Sequence, residues 1–375
     1  MYIKRIIQSS IKKSLFKGKV IIIYGARQVG KTTLVKEIMA DSDKESIYLN
    51  CDEPDVRAAL TNKSSTELKS FIGNAPLIVI DEAQRVLNIG LTLKLLIDNF
   101  PDSQIIATGS SSFELSNKIK EPLTGRKIEF CLYPLSIQEL TQLYNEIEIN
   151  RLLAERMVFG MYPGVIFAPD NKEQILRELA TSYSYKDVLA FQDMRKPEIL
   201  EKLLQALALQ IGNEVSYLEL AQLLGVSKET VENYIDILEK AYIIFKVGPF
   251  SRNLRNELKR KRKIYFYDLG LRNALINNLN PLELRQDVGA LWENFLVLER
   301  MKHNNNLANF ANIYFWRTMG GQELDYIEDI AGQLFAYEFK WSKNKFNAPK
   351  DFLKAYPDST IKLINRDNYF DFLVK

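Results

Sequence analysis

Residues 25–32 read Gly-Ala-Arg-Gln-Val-Gly-Lys-Thr directly after the apolar run Val20–Tyr24, and no other segment restricts the fold as tightly. The spacing Gly25-x-x-x-x-Gly30-Lys31-Thr32 suits a tight loop between a strand and a helix, because glycine enters unusual backbone conformations at little steric cost. Backbone N–H groups of such a loop converge on phosphate oxygens at the positive end of the following helix. Gly25, Ala26, Arg27, Gln28, Val29, Gly30, Lys31, Thr32 and Thr33 are therefore the candidate nucleotide-binding set. Lys31 would reach the β- and γ-phosphates of ATP, and the Thr32 hydroxyl would ligate Mg2+.

A second signal lies about 50 residues downstream, the usual order in phosphoryl-transfer sites. Leu77-Ile-Val-Ile is an apolar strand that ends in Asp81-Glu82. Asp81 would hold the Mg2+ shell, and Glu82 would orient and polarise the attacking water. Alone, an Asp-Glu pair after a strand is equally a solvated helix start; the upstream loop favours catalysis. The next strand ends Thr108-Gly-Ser-Ser, and Ser110 is either a γ-phosphate sensor or a helix cap. Arg126 is either a source of transition-state charge or one half of a surface salt bridge. If it acts on a neighbouring subunit, the working form is a homo-oligomer.

Length and composition set the wider frame. A chain of 375 residues exceeds one ordinary core, so two to four domains are expected. With 46% hydrophobic and 26% charged residues it belongs with globular rather than disordered chains. No apolar run approaches the roughly 18 residues of a membrane span, and no secretory signal is evident. Cys51 and Cys131 are too few for a disulfide framework and suit a reducing cytoplasm. The single histidine, His303, excludes a multi-His zinc site; beside Asn304–Asn306 it reads as a loop residue.

The first part alternates apolar runs with helical patterns, the mark of a parallel α/β sheet. Expected strands are Val20–Tyr24, Ser46–Leu49, Leu77–Ile80, Gln104–Thr108 and Lys127–Leu132, with helices such as Thr32–Ala40 and Leu91–Phe100 between them. From about Asn150 the pattern turns helical. Residues 216–267 read as helix, Gly-Val-Ser turn, helix, strand, basic loop and strand. A helix around Trp292–Met301 and strands near Ile313–Arg317, Asp325–Glu328, Leu334–Lys340 and Ile361–Ile364 follow.

These segments together resemble a known group. Gly25–Leu34, Ile80-Asp-Glu-Ala-Gln-Arg85, Thr108–Ser111, Leu123-Thr-Gly-Arg126 and Pro134-Leu-Ser-Ile-Gln-Glu139 are similar to prokaryotic AAA-type ATPases. More narrowly, they resemble the branch in which a winged helix precedes a C-terminal domain of unknown function similar to restriction-endonuclease folds. Gly160-Met-Tyr-Pro163, Lys263–Asp268, Trp292-Glu-Asn294 and Glu338-Phe-Lys340 extend the match over nearly the whole chain. The resemblance implies ATP hydrolysis, oligomers and contact with DNA, branched DNA in some relatives. The expected fold is α/β: an AAA-type P-loop core over 1–145, a helical lid or linker over 146–205, a winged helix with a basic wing over 206–280, and a nuclease-like α/β domain over 281–375.

Charge is unevenly spread around a net of +3. Residues 1–36 hold nine Lys/Arg and no acid, which solubility alone can explain. Residues 251–263 hold seven, Arg252, Arg255, Lys259, Arg260, Lys261, Arg262 and Lys263, against Glu257. Were about five of them to neutralise phosphates, log K would fall with log salt at a slope near −4 to −5. The alternatives are a solvated loop or an arm docked on an acidic domain surface. The second helix of the helix-turn-helix, Lys228–Lys240, carries Glu229, Glu232, Asp236 and Glu239, which argues against base reading by that helix.

Asp325 and Glu338-x-Lys340 are spaced like the PD-(D/E)xK nuclease signature. Strand alternation puts Glu338 and Lys340 on one face, with Tyr337 and Phe339 on the other. Asp325 and Glu338 would share a Mg2+, Lys340 would position the attacking water, and Glu293 would add a ligand. The spacing also arises by chance in charged sequences, and nuclease-like domains can serve for binding alone. Two readings stand: a DNA-directed ATPase, or a nucleotide-controlled switch that acts through protein partners.

Overall fold

The computed structural model describes residues 3–109, 119, 122–182, 197–251, 262–318, 320–342 and 345–375. Contacts divide the chain into two units: Lys4–Pro134 with Lys240–Tyr242, and Leu135–Glu239 with Ile243–Lys375.

The first unit is built on five parallel strands, β1 (Val20–Tyr24), β2 (Ser46–Asn50), β3 (Leu77–Asp81), β4 (Gln104–Gly109) and β5 (Lys127–Cys131). Their spatial order is β2-β3-β4-β1-β5. Strands β1, β3 and β4 are buried at every residue, so they read as continuous apolar runs rather than alternating ones. Each fully buried Val, Ile or Leu in them contributes roughly 1.5–3 kcal/mol to folding. Because all five strands run the same way, their carboxyl ends share one edge, where α/β sheets bind ligands. Strand β4 lies between β1 and β3, so the loop after β1 and the carboxylates ending β3 flank it. The expected strands fall at these positions, with ends displaced by one residue at most.

In the second unit, helices dominate from Glu146 to Leu209, among them Glu146–Phe159, Lys172–Ser182 and Pro197–Leu209. A seven-stranded sheet follows: β6 (Glu214–Val215), β7 (Ile244–Pro249), β8 (Arg262–Phe266), β9 (Asn312–Arg317), β10 (Glu323–Ile330), β11 (Gln333–Phe339) and β12 (Thr360–Ile364), in the order β12-β11-β10-β9-β7-β8-β6. Helices Tyr217–Leu224 and Lys228–Lys240 stand between β6 and β7, and both match the sequence expectation to within one residue. The two-residue β6 was not expected, being too short for any period to register. Strand β7 pairs in parallel with β9 through Gly248–Tyr314 and Pro249–Phe315, so hairpin and C-terminal strands form one sheet.

Gly160 and the 263–268 segment, far apart in sequence, meet here. Asp268 accepts hydrogen bonds from Met161 N at 2.7 Å and Leu271 N at 2.9 Å. A Cβ on Gly160, at φ 75°, would stand 2.1 Å from Asp268 Oδ1, so only glycine fits there.

His303 corrects an expectation. It lies in the helix Val288–Asn306, buried, and not in a loop. Asparagine is a weak helix former, but tertiary contacts override that preference: Asn304 Nδ2 donates to Glu328 at 2.6 Å, and Arg300 pairs with the same carboxylate at 2.9 Å. Among the described residues, no helix is long and apolar enough to cross a membrane. Burial, with the nearby Arg300 charge, lowers the His303 pKa from its ordinary 6.5. Below about pH 6.5 the unfolded chain binds a proton that the native imidazole resists, so stability falls with pH until the folded pKa is passed. Because the chain has one histidine, an NMR titration reads this directly, and a midpoint below 6.5 is expected.

Candidate functional site

The loop between β1 and the helix Lys31–Ala40 adopts the conformation its glycines permit. Gly25 has φ 155° and Gly30 has φ 98°, and Gln28 also takes a positive φ of 59°. A Cβ on Gly25 would stand 2.2 Å from the Leu132 carbonyl oxygen, so the loop packs against the chain leaving β5. Lys31 is buried, and its ammonium donates to the carbonyls of Gly25 at 2.9 Å and Ala26 at 2.8 Å. The lysine thus bonds to the loop's own oxygens at the mouth of the phosphate cradle. Arg5 braces the loop from outside, donating to Val29 O at 2.9 Å and Tyr133 O at 2.6 Å. Within the basic N-terminal stretch, nothing marked this arginine from its neighbours.

At the end of β3, Asp81 is almost completely buried and gathers three hydroxyls. Thr32 Oγ1 donates to its Oδ2 at 2.7 Å, Tyr48 Oη to the same oxygen at 2.5 Å, and Thr108 Oγ1 to its Oδ1. Thr32 comes from the helix after the loop, Tyr48 from β2 and Thr108 from β4. Register explains Thr108: Ala107 pairs with Ile80, so the next residue of β4 lies level with Asp81. Thr108 Oγ1 also accepts from Glu82 N at 3.1 Å, and Gln84 Nε2 donates to Glu82 Oε2 at 2.5 Å. Burial, then hydrogen bonding to Asp81, raises the Tyr48 pKa, so its phenol stays a donor. Asp81 and Thr32 are in contact and present only oxygens, which suits a hard cation such as Mg2+.

Sequence reasoning named Lys31, Thr32, Asp81 and Glu82 but missed Arg5, Tyr48 and Thr108. Ser110 lies outside the described residues. Arg126 stands at the opposite end of the sheet, where its carbonyl accepts from Val20 N at 2.9 Å and its Nε donates to exposed Asp98 at 2.9 Å. The five residues of β1, roughly 16 Å of strand, separate it from the loop after Tyr24. It is out of reach of its own phosphate cradle.

The second unit holds the other expected set. Glu293 on the helix Val288–Asn306, Asp325 on β10 and Glu338 on β11 are gathered around one face of the sheet, but an ammonium stands among them. Lys263 Nζ lies 2.8 Å from Glu293, 2.7 Å from Glu323 and 3.9 Å from Asp325, and its side chain is 2% exposed. This overturns its expected place among the phosphate-binding residues of the basic loop. Strand β8 begins at Arg262 rather than Ile264, so alternation turns Lys263 and Tyr265 to the helix face, where Tyr265 Oη donates to Glu293 at 2.6 Å. Arg262 is half-buried at the start of that strand. Arg252, Arg255, Lys259, Arg260 and Lys261 lie outside the described residues.

Glu338 and Lys340 share a face as expected and pair at 2.5 Å, while Tyr337 and Phe339 pack against Phe372 and Tyr326 on the other. Strand β11 ends at Phe339, one residue short of the expected Lys340. Asp325 Oδ2 accepts from Phe339 N at 2.8 Å. Burial and the Asp325 charge push Glu338 up to about 7. Burial, opposed by Lys263, brings Glu293 to about 7 as well. Burial alone would lower the Lys263 pKa, but Glu293, Asp325 and Glu323 outweigh it, and the net shift is upward. Among the described residues, no three His, Cys, Asp or Glu side chains are arranged to hold a metal ion. The carboxylates present do not fit a divalent metal while this lysine is among them.

Comparison with known proteins bears on the fold of the first unit. Residues 17–141 match the family model described as an AAA domain, residues 150–282 a domain of unknown function (DUF8612), and residues 288–368 another (DUF4143). A Walker-type ATPase of Pyrococcus abyssi superposes with a TM-score of 0.51 at 17% identity, over 72% of this chain and 94% of its own. An uncharacterized protein of Mycobacterium tuberculosis is 28% identical over 337 residues, 88% of this chain and 72% of its own. Another, of Methanocaldococcus jannaschii, is 27% identical over 386 residues, 97% of this chain and 83% of its own. The first unit therefore has the fold of an AAA-type P-loop ATPase.

Thr108 is the hinge of that site. Thr108→Val keeps the shape but strips a partner from buried Asp81 and from Glu82 N, which costs about 1–3 kcal/mol. Urea unfolding of Thr108→Val beside Thr108→Ser measures it, with the serine variant expected close to wild type.

Proposed function

We propose that the protein is an ATP-hydrolysing, DNA-directed ATPase in which turnover at the 25–32 loop drives binding or remodelling of DNA, branched DNA included. The observation that carries the reading is the Thr32–Asp81 contact at the carboxyl edge of the sheet, with Glu82 next in the chain. In this reading Lys31 leaves the Gly25 and Ala26 carbonyls for the β- and γ-phosphate oxygens. Glu82, oriented by Gln84 and Thr108, lines up the attacking water. Thr32 and Asp81 would hold Mg2+, which when bound neutralises charge across the phosphates. Arg126, remote from its own site, would act only on a neighbouring copy, so its use requires a homo-oligomer.

The DNA-directed part rests on the basic run 252–262, minus Lys263, and on the element order of the second unit. Helix, β6, two helices and the β7–β8 hairpin follow one another as in a winged helix. The helix, three strands, helix and strand from Val288 to Ile364 follow a restriction-endonuclease-like order. Cys51 and Cys131 are not joined in a disulfide, which suits a reducing compartment and therefore cytoplasmic work.

A second reading, a nucleotide-controlled switch acting through protein partners with a non-cleaving nuclease-like domain, draws on two observations. Lys263 lies among the carboxylates that would hold the nuclease metal. The acids of the helix Lys228–Lys240 are largely paired, Glu232 with Lys228 at 3.0 Å, Asp236 and Glu239 with Lys246 at 2.6 and 2.8 Å.

ATP turnover is expected in the wild type and lost in Lys31→Ala. In Glu82→Gln it should fall by about 100-fold or more, the scale of a lost general base. A phosphate-release assay that finds no turnover, or none lost in Lys31→Ala, defeats both readings. Duplex, single-stranded and junction DNA should stimulate turnover, and log K should fall with log salt at a slope near −4. No stimulation and no gel shift at low salt would favour the protein-partner switch.

A further inference from the structure

Lys263 carries the inference furthest. It sits on β8, the last strand but one of the sheet, with the short edge strand β6 on one side and β7 on the other. Its ammonium makes close ion pairs with Glu293 from the helix Val288–Asn306 and Glu323 from β10, and lies 3.9 Å from Asp325 on β10. The Phe315 ring is 5.4 Å away. Three carboxylates from two separate elements therefore converge on one monovalent cation contributed by the chain itself. Like charges gathered in a buried site are strongly unfavourable unless a cation lies among them. The same job is commonly done by a divalent metal. Nearby, Glu338 uses one oxygen to bind Lys340, while its Oε2 is buried with no hydrogen-bond partner among the described residues.

We propose that the Lys263 ammonium is the resident cation of this carboxylate cluster, excluding divalent metal from the Glu293–Asp325–Glu338 face and fastening β8 to the C-terminal strands. Two consequences follow. The wild-type chain has no divalent site at Asp325, and removing the ammonium creates one. Without Lys263, the carboxylates of Glu293, Glu323, Asp325 and Glu338, which are not arranged to hold a metal as they stand, can close on a hard cation such as Mn2+ or Mg2+. This inference does not depend on ATP hydrolysis, and its test uses no nucleotide.

The experiment is a Mn2+ titration of the full chain without nucleotide, followed by calorimetry and by loss of the free-ion EPR signal. Wild type, Asp325→Asn, Lys263→Ala and Lys263→Ala/Asp325→Asn are compared. Wild type and Asp325→Asn should bind alike, because any Mn2+ taken up at Thr32 and Asp81 is common to both. Lys263→Ala should gain one further ion that neither wild type nor Asp325→Asn binds. The double variant should lose that ion, and Mn2+ should raise the melting temperature of Lys263→Ala but not of the double variant. Removing one partner of a buried ion pair is costly, so Lys263→Gln, which keeps a donor for Glu293, serves if the alanine variant does not fold. Wild-type binding that Asp325→Asn abolishes overturns the proposal whichever variant folds. So does a folded Lys263→Ala or Lys263→Gln that gains no ion.

Discussion

Asp81 receives hydroxyls from three separate elements, and the geometry of the nucleotide site depends on that convergence. Thr32, Tyr48 and Thr108 all donate to its carboxylate. A buried carboxylate needs several good partners, because each unsatisfied lone pair costs free energy that water would otherwise supply. Here the partners arrive because the strands are parallel and in register, so their carboxyl ends deliver side chains to one plane. The phosphate loop, anchored by Arg5 and by close packing of Gly25 on Leu132, opens onto the same plane. The network therefore links loop geometry to the carboxylate pair, and a ligand that engages Thr32 also acts on the Asp81 bonds.

The second unit solves a different electrostatic problem. Its acids are gathered by a helix and a strand from distant parts of the sequence, and the balancing charge comes from β8. Two residues beyond that strand, Asp268 closes on Gly160 and Met161. Ion pairs at one end and a glycine-limited contact at the other hold β8 within the sheet. The parallel β7–β9 pairing then makes the hairpin continuous with the C-terminal strands.

Much of the first unit was legible because fully buried parallel strands leave unbroken apolar runs. The run 77–80 and its Asp-Glu ending could be read as a site once Gly25 to Thr32 were recognised. Arg5, Tyr48 and Thr108 were not legible. Each is an ordinary polar residue whose role arises only when neighbouring strands bring it beside Asp81 or Val29. His303 was misplaced for a related reason: local asparagines suggested a loop, but contacts to Glu328 extend the helix through them.

The amino-acid order alone determined the phosphate loop, the carboxylate pair and the alternation that puts Glu338 and Lys340 on one face. These are short-range matters, fixed by glycine conformations, strand periods and spacing within a few residues. Only the tertiary structure decided what Lys263 and Arg126 do. A two-residue difference in where β8 begins turned Lys263 from a basic loop into a buried acidic cluster. Strand direction placed Arg126 at the far end of the sheet from its own phosphate cradle. A charge has no assigned partner until folding chooses its neighbours, and the choice rests on long-range packing that no local pattern records.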